Sequence, residues 1–513
     1  METNATSSEP PAGPGGGAGP PPPPQAAVVE SEGLKACYAD PAVRQRMLEF
    51  MGGSSLEETT CEYITGDDLV SSSRQPRRTE ELRDCLNHRM DIGRALWDRE
   101  SLIAHLDVEY VNFDFPAEAY LNPQRAFELQ KPVEAAIAKL LEGWGIRPLH
   151  VLSGRGHHYV WRIDRRSKVF EDLRRIGHET PSLVRVNAQA HAPNGASVSP
   201  EMGAAFAGLG LVMEYAAHRI QELAAPGCAI PIELTAVEAG PRFRDREMIS
   251  IDISEYGDPL HTRTMRVPFS VYYKPSQQRW LMGERALMGL PLILFIPLQG
   301  IDVSEALEMR CDPRRAALFA REVCTSIPEQ TEGTAELLAL YEVSSLAEFH
   351  RWFYAQEPHA PEEWPATYDR MPMEALPSCA QVMLEIPNDT LLHPASMRLL
   401  TRVLLALGWH PRHIAGLICS KFARDHRWGT QWEECDPATR ADFYTRVFAG
   451  LFAAGRDDLI DFNCQSSKEE GTCPVANCPH NLELFRQSAL ARRQYDKLAH
   501  RPIHRLFLPT EHS

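Results

Sequence analysis

Residues 101–113 read SLIAHLDVEYVNF, and their alternation and β-branched content predict a β-strand. Successive strand residues point to opposite faces, so Asp107 and Glu109 share one face while Leu106 and Val108 share the other. Two neighbouring carboxylates repel each other unless they are solvated or bind a divalent cation, which prefers oxygen ligands. The pair alone therefore predicts either a solvated strand face or part of a metal site.

The sequence around this strand alternates between predicted helices and strands from residue 101 to about 290, which indicates a mixed α+β domain. A helix is predicted over 123–145 and closes at Gly145. Strands are predicted over 147–154, 157–164, 231–240, 247–255 and 266–274.

A third acid, Asp252, lies between Ile251 and Ile253 on a strand that otherwise looks buried. A carboxylate beside buried positions needs a partner. The alternative is an edge-strand aspartate or a cap for the turn that follows. Three acids on neighbouring strands would be enough to hold one or two metal ions for in-line phosphoryl transfer.

Two further stretches carry groups suited to phosphate. The turn between the strands 147–154 and 157–164 contains Ser153, Arg155 and His158, whose donors fit phosphate oxygens. A plain hairpin turn would explain its glycines but not these donors together. Arg266 and Lys274 recur at even spacing with Ser270 on a predicted strand, which places them on one face or, alternatively, on a solvated outer face.

In this order, the three elements resemble the motifs of the archaeo-eukaryotic primase superfamily. The resemblance implies an RRM-like mixed-sheet catalytic domain with nucleotidyltransferase activity. It also implies that Asp107, Glu109 and Asp252 bind Mg²⁺ or Mn²⁺, and that the nucleotide is bound by Ser153, Arg155, His158, Arg266, Ser270 and Lys274. Tyr272 departs from the pattern, since the family often has a histidine there.

Three of the twelve cysteines, Cys464, Cys473 and Cys478, lie within fifteen residues and predict a metal site. The fourth ligand would be Cys379, Cys435 or His480. The stretch from Leu376 onward resembles the C-terminal domain of the primase large subunit. That resemblance implies a mainly helical domain in which Cys379 and the three later cysteines hold a [4Fe-4S] cluster, with Zn²⁺ as the alternative.

The chain has 53 Lys+Arg against 69 Asp+Glu, a net charge of −16, so its average field repels phosphate. Any nucleic-acid site must therefore be a local basic patch. Residues 395–428 supply one with a single acid, Asp425, and we expect it to bind single-stranded template unless it is only a solvated helix face. Its basic residues are Arg398, Arg402, Arg412, Lys421, Arg424 and Arg427.

These patterns divide the chain into six segments. They are a disordered Pro/Gly-rich tail (1–32), a helical segment (33–100), the catalytic domain (101–290), a helical connector (291–370), the metal-cluster domain (371–490) and a basic tail (491–513). No secretory signal or membrane-length apolar run occurs, and the scattered cysteines suit a reducing compartment. We expect a cytoplasmic protein, nucleoid-associated if bacterial.

The sequence favours a single-chain primase-polymerase that copies single-stranded DNA with NTP or dNTP and works with a helicase or other replication proteins. A metal-dependent nuclease or phosphohydrolase would use the same acids, with the cationic residues far from them. A non-catalytic nucleic-acid-binding protein with a structural metal would not need the acids to converge. We expect the three carboxylates to cluster beside the Ser153–His158 loop.

Overall fold

The computed structural model describes residues 25–69, 75–235, 246–388, 391–424, 435–469, 473 and 478–498, with the side chains of 25–31 and 495–498 left out. Most of the predicted tails 1–32 and 491–513 lies outside these residues. So do Asp425, Arg427 and the second half of the strand predicted over 231–240.

Strands in the described chain form two sheets. They are β1 (Ile64–Asp67), β2 (Asp91–Ala95), β3 (Ser101–Asn112), β4 (Leu149–Leu152), β5 (Gly156–Asp164), β6 (Ile232–Leu234), β7 (Glu247–Asp252), β8 (Thr264–Arg266) and β9 (Ile296–Pro297). The larger sheet has the order β6-β7-β3-β5-β4-β9, antiparallel except for the β6–β7 pair. The smaller is antiparallel with the order β1-β2-β8.

Helices surround and follow these sheets. Those of the first half are α1 (Gln25–Ala39), α2 (Pro41–Phe50), α3 (Leu82–Asn87), α4 (Glu118–Leu121), α5 (Pro123–Gly143), α6 (Lys168–Ile176), α7 (Pro181–Asn187), α8 (Pro200–Ala224), α9 (Lys274–Gln277), α10 (Arg279–Met282) and α11 (Glu284–Leu287). The later ones are α12 (Val303–Met309), α13 (Pro313–Phe319), α14 (Thr331–Glu342), α15 (Ser345–Tyr354), α16 (Ser378–Glu385), α17 (Pro394–Ala406), α18 (Pro411–Arg424), α19 (Pro437–Ala453), α20 (Cys464–Glu469) and α21 (Leu482–Leu498). Short 3-10 helices lie at Thr79–Glu81, Ala225–Gly227, Ser254–Gly257, Leu260–Thr262, Pro361–Ala366, Tyr368–Arg370 and Met373–Ala375.

The long helices α5 and α8 cover one face of the larger sheet and contact its central strand β3. Each begins with proline at its first turn, where the missing N–H costs no hydrogen bond. Ser199 caps α8 by accepting from the Met202 N–H at 3.3 Å. Leu106 and Val108 of β3 are almost fully buried, so the layer between sheet and helices forms the core. The predicted mixed α+β class is confirmed.

Two secondary-structure predictions are wrong. In the segment 33–100, predicted to be helical, α3 ends at Asn87 and Asp91–Ala95 forms β2, because it pairs with β1 on one side and β8 on the other. The strand expected over 266–274 ends at Arg266. Phe269 has a φ of 67°, which breaks the period-two alternation, and α9 then begins at Lys274.

The C-terminal helices pack on the 3-10 turn that follows β7. Phe443 of α19 lies against Gly257, where an added Cβ would come within 2.6 Å of its ring. Arg440 of the same helix donates to Asp258 at 3.2 Å. This contact joins the metal-cluster region directly to the strand that carries Asp252. Among the described residues, no helix combines the length and the apolarity that crossing a bilayer requires.

Candidate active site

Strand pairing brings the predicted acids together. Asp107 of β3 is paired with Asp252 of β7 on one side and with His158 of β5 on the other. Glu109, two residues along β3, lies opposite Gly156 of β5. Paired residues in adjacent strands point to the same face, so the acids and the end of the predicted nucleotide loop share one surface of the sheet.

The turn between β4 and β5 is fixed by close packing. An added Cβ on Gly156 would lie 1.8 Å from the Val108 carbonyl oxygen, so only glycine fits at this position. Ser153 Oγ accepts from the Gly156 N–H at 3.0 Å. The buried Arg310 donates to the carbonyl oxygens of Ser153 and Gly154 at 3.3 and 3.0 Å. Sequence patterns did not point to Arg310, which directly follows α12 and holds the turn from more than 150 residues away in the chain.

A cavity of about 180 Å³ lies between the two sheets, over the face that carries the acids. Six carboxylates line it against three arginine and lysine side chains, so it is suited to cations. Its lining residues are Thr65, Asp67, Asp91, Gly93, His105, Asp107, Glu109, Ser153, His158, Asp252, Ser254, Glu255, Thr262, Arg263, Thr264, Met265, Arg266, Tyr272, Lys274 and Phe295.

Asp107 lies in an environment that disfavours its charged form. Burial and then the charge of Glu109 raise the pKa of Asp107 well above its usual value. Its Oδ1 atom is buried without a hydrogen-bond partner, 3.4 Å from Nε2 of His158. Burial lowers the pKa of His158 far below its ordinary range, so that imidazole is neutral at pH 7. A divalent cation would supply the partner that this carboxylate lacks.

Glu109 is balanced by a cation from the loop, since Arg155 forms an ion pair with it. Burial opposes ionisation of Glu109, but the charges of Arg155 and Lys274 outweigh burial and hold its pKa below the usual value. Arg155 is therefore engaged by an acid rather than free to receive a phosphate. A metal–nucleotide complex would have to exchange this pair for a Glu109–metal and an Arg155–phosphate contact.

The basic residues Arg266, at the end of β8, and Lys274, at the start of α9, line the same cavity as the acids of β3 and β7. Arg266 Nε donates to both carboxylate oxygens of Asp91, at 2.9 and 3.0 Å, and its guanidinium lies 4.6 Å from the centre of the Tyr272 ring. Burial, aided by Arg155, lowers the pKa of Lys274 to about 8. Lys274 therefore keeps most of its charge near neutral pH but loses it soon above.

One predicted nucleotide-binding residue is misplaced. Ser270 is fully buried and accepts from the Ile92 N–H at 2.7 Å, and its Oγ lies 3.5 Å from the Tyr38 hydroxyl. It faces this hydrogen-bond network because the chain turns at Phe269. It does not line the cavity, unlike Ser153, His158, Arg266 and Lys274, and Arg155 reaches the cavity only through Glu109.

Sequence reasoning missed several residues that complete the site. Asp91 was hidden in a predicted helix. His105 and Glu255 form an ion pair at 2.7 Å beside the acids. Burial alone would lower the pKa of His105, but Glu255 outweighs burial and raises it to about 9. The alternation of β3 does place His105 on the same face as Asp107, so that signal was present in the sequence.

No protein-family model matches the chain, and neither a curated protein nor a solved structure does. The function of the cavity must therefore be argued from its own side chains.

The four predicted cluster cysteines gather around the start of α16. Cys478 Sγ accepts from the backbone N–H and the hydroxyl of Ser378, at 3.4 and 3.1 Å. Burial and then the charges of Cys473 and Cys464 raise the pKa of Cys379 to about 12, which indicates that these three thiols lie near one another. A bound metal would reverse this shift, since metal ligation requires the thiolate.

Tight groups of potential ligands also occur elsewhere. Among the described residues, ligand atoms lie within 4.8 Å of one another in Glu134, His150 and His157, and in Asp457, Asp458 and Asp461. Among the described residues, neither the cysteines nor the acids Asp107, Glu109 and Asp252 form so tight a set, and both groups would have to draw together around a metal. His480, a proposed alternative ligand, lies 2.8 Å from the Glu374 carbonyl oxygen through its Nε2.

The predicted basic patch is wrong for Arg398, Arg402 and Arg412, which pair with acids inside the protein. Arg402 is buried and donates to Asp457 and Asp461 at 2.6–3.0 Å. Arg398 lies one helical turn away, within 3.7 Å of Asp461 and of Glu233 in β6. These arginines are neutralised inside the protein by acids that lie far away in the chain, so they are not a surface for DNA.

Arg412 and Lys421 of α18 differ in whether an acid neutralises them. Arg412 forms an ion pair with Asp442 and is mostly buried, so it is also withdrawn from solvent. Lys421 is half-buried, and burial lowers its pKa. Arg424, in the same predicted patch, pairs with Asp369 at 2.5 Å. Among the described residues of the predicted patch, Lys421 alone still fits a role in template binding.

Proposed function

We propose that this chain is a primase-polymerase that transfers nucleotides from NTP or dNTP to a growing strand on a single-stranded DNA template. The observation that carries the proposal is the pairing of Asp107 with Asp252, with Glu109 on the same face and Lys274 in the same cavity. Acids and cations at one site are what a metal–triphosphate complex needs.

The order of elements in the larger sheet supports the RRM-like fold that the resemblance implies. Along the chain, β3, α5, β4, β5, α8 and β7 follow a β-α-β-β-α-β pattern. In space, these strands have the order β7-β3-β5-β4, so the first strand is central and carries the acids. A central strand is a rigid place for groups that must be held in fixed geometry.

Asp107, Glu109 and Asp252 would hold Mg²⁺ or Mn²⁺, and the orphaned Oδ1 of Asp107 supports that fit. When bound, one or two such ions stabilise charge on the attacking and leaving oxygens of phosphoryl transfer. In the reaction, a 3′ hydroxyl oxygen bonds to the α-phosphorus, and the bond from that phosphorus to the pyrophosphate oxygen breaks.

The remaining cavity residues would position the nucleotide. Lys274 and Arg266 present positive charge opposite the acids, and Arg155 becomes available once Glu109 binds a cation. Ser153 orders the loop, and neutral His158 can donate a single hydrogen bond to a phosphate oxygen. Tyr272, whose ring lies under Arg266, is placed to contact the sugar or base.

A nuclease or phosphohydrolase is the main rival, because it would use the same carboxylates. Such an enzyme needs a metal-activated water molecule and does not require residues that bind a triphosphate. The contact between Arg155 and Glu109, together with Lys274 in the cavity, therefore favours transfer from a nucleoside triphosphate. A purely binding role would not explain why three carboxylates are gathered in one cavity despite their mutual repulsion.

The cysteine region would form a second functional unit that binds a [4Fe-4S] cluster, or Zn²⁺, through Cys379, Cys464, Cys473 and Cys478. Anaerobic purification followed by absorption spectroscopy and metal analysis distinguishes the cluster from Zn²⁺. Broad visible absorption with iron in the protein identifies the cluster, and zinc without it identifies the ion.

The decisive experiment is primer synthesis and primer extension on single-stranded DNA with Mg²⁺ or Mn²⁺. We expect product from the wild-type chain and none from Asp107→Ala/Glu109→Ala. Asp164→Ala, a substitution at the far end of β5, is the matched control and should retain activity. Product from the double variant would reject the metal site, and shortening of a labelled strand without synthesis would identify the nuclease.

A further inference from the structure

A second cluster of metal-ligating side chains lies on the opposite face of the larger sheet. His150 of β4 and His157 of β5 flank the turn that carries Ser153, and Glu134 of α5 lies over them. One ligand atom from each residue lies within 4.8 Å of the other two. Because strand residues alternate, His157 points away from the cavity that its neighbour His158 lines.

The two imidazoles lie close enough to share one ligand. His150 Nε2 and His157 Nδ1 are 2.9 Å apart and form a hydrogen bond, which a bound ion would replace. Two imidazole nitrogens on one tetrahedral zinc ion would be about 3.4 Å apart at ordinary Zn–N bond lengths. A small rotation of either ring would accommodate an ion between them, with the Glu134 carboxylate as third ligand.

Protonation does not compete with a metal here. Burial lowers the pKa of His150 to about 3 and that of His157 well below its usual value. Both rings are therefore neutral at pH 7, the state in which imidazole binds metals. Burial raises the pKa of Glu134, and a bound cation would offset that cost.

The pair of histidines leaves polar groups unsatisfied. His157 Nε2 is buried without a hydrogen-bond partner, and so is the hydroxyl of Tyr159. The Tyr159 ring stacks on His150 at 4.2 Å, and burial and then the charge of Glu134 raise the pKa of its hydroxyl, so Tyr159 borders the same cluster. Buried polar groups without partners are uncommon, and this cluster therefore has polar capacity left for a ligand.

We propose that Glu134, His150 and His157 bind a divalent transition-metal ion of the zinc class. Two imidazoles and one carboxylate suit zinc rather than magnesium, which prefers oxygen ligands alone. The ion would tie α5 to both strands of the β4–β5 hairpin and so brace the turn between them. The site is independent of the nucleotidyl-transfer proposal, because none of its residues lines the cavity between the sheets.

Cobalt substitution tests this site in the full-length chain without a histidine tag. Excess Mg²⁺ is present so that the carboxylate cavity does not take up Co²⁺. We expect one equivalent of Co²⁺ with visible d–d absorption and no sulfur-to-cobalt charge transfer, since no cysteine is a ligand. Any cobalt bound by the cysteines shows that charge transfer and is lost in Cys478→Ser, whereas the proposed site is retained.

Glu134→Gln and His150→Gln should each weaken Co²⁺ binding at this site by about 10–100-fold or more. His191→Gln is the matched control, because His191 stacks on His261 in a histidine pair that contacts no carboxylate of this cluster. Primer synthesis is not the readout, so the outcome does not depend on the proposed activity.

Absence of thiolate-free cobalt absorption in the wild-type chain would overturn the proposal even if the variants failed to fold. Unchanged Co²⁺ affinity in folded Glu134→Gln and His150→Gln would also overturn it.

Discussion

Asp107 and Asp252 are cross-strand partners in adjacent antiparallel strands, although 145 positions separate them in the chain. This pairing places two carboxylates at directly opposed positions of a sheet, an arrangement that destabilises the protein unless something compensates the repulsion. His158, the partner of Asp107 on its other side, is neutral and does not compensate it, and the charge of His105 lowers the pKa of Asp107 by less than burial and Glu109 raise it. The structure thus maintains a local cost at the point where the proposed chemistry needs cation ligands.

Asp107→Asn should abolish nucleotide incorporation and at the same time stabilise the metal-free protein. The pKa of Asp107 is raised by burial and by Glu109, so its charged form opposes folding at pH 7, and the neutral amide removes that cost. We expect the midpoint of thermal unfolding to rise by about 2–4 °C in the presence of EDTA. Added Mn²⁺ should raise the midpoint of the wild type and leave that of the variant unchanged.

The matched control for this variant is Asp258→Asn. Asp258 is more deeply buried than Asp107, but it pairs with Arg263 and Arg440. Its neutralisation strands two buried cations and should cost about 3–5 kcal/mol. A decrease in unfolding temperature for Asp107→Asn comparable with that of Asp258→Asn would show that Asp107 stabilises the fold and would contradict the prediction.

Arg155→Ala should separate metal binding from nucleotide binding. Without Arg155, Glu109 has no loop cation beside it, so Mn²⁺ should bind the nucleotide-free protein more tightly, by about tenfold. Nucleotide affinity should fall, because the triphosphate loses a charge-assisted contact. Paramagnetic resonance titration of free Mn²⁺ measures the first effect and a fluorescent nucleotide measures the second. Weaker Mn²⁺ binding would mean that Arg155 positions Glu109 for the metal.

Nucleotide binding should weaken as the pH rises through about 8. The pKa of Lys274 is lowered to about 8, so its ammonium is present below that pH and is lost above it. Lys274→Arg keeps the charge throughout and should remove this dependence, whereas Lys274→Gln should weaken binding by about 10–100-fold at neutral pH. Measurement of Kd for a non-hydrolysable triphosphate from about pH 6.5 to about pH 9.5 checks both expectations, because this range extends more than one unit either side of the transition.

The same pH dependence in Lys274→Arg and in the wild type would assign the transition to a different group.

Local periodicity predicted part of the site, and its limits are visible residue by residue. Alternation placed Asp107 and Glu109 on one face, as observed. It carried no information on which strand lies beside them, so the pairing with Asp252 came only from the resemblance. It failed at Ser270, because one residue with positive φ, Phe269, reverses the pattern without a glycine to mark it.

Charge counting failed for a different reason. Arg398 and Arg402 lie in a stretch with many basic residues, but their acidic partners Asp457 and Asp461 come about 60 residues later. Asp91 was missed because its strand pairs with segments on both sides that are distant in sequence. Partners of this kind are fixed by tertiary packing and leave no trace in local composition.

Arg402→Ala should destabilise the C-terminal helices through the loss of a buried ion pair, not through the loss of a DNA contact. Arg402 makes four hydrogen bonds to Asp457 and Asp461, and removal of this arginine leaves two buried carboxylates with only the more distant Arg398 beside them. The expected loss is about 3–5 kcal/mol of unfolding free energy, measured by urea denaturation. Arg370→Ala removes an exposed arginine and should change stability by less than about 0.5 kcal/mol.

Asp461→Asn distinguishes this structural role from template binding, because it breaks the same pair while keeping every positive charge. A structural pair predicts lower stability for both Arg402→Ala and Asp461→Asn, and no gain in affinity for single-stranded DNA from the second. A template-binding arginine predicts the reverse for Asp461→Asn, since an unpaired Arg402 would attract phosphate more strongly and binding would tighten at low salt. Fluorescence anisotropy with a labelled oligonucleotide therefore decides between a buried ion pair and a DNA contact.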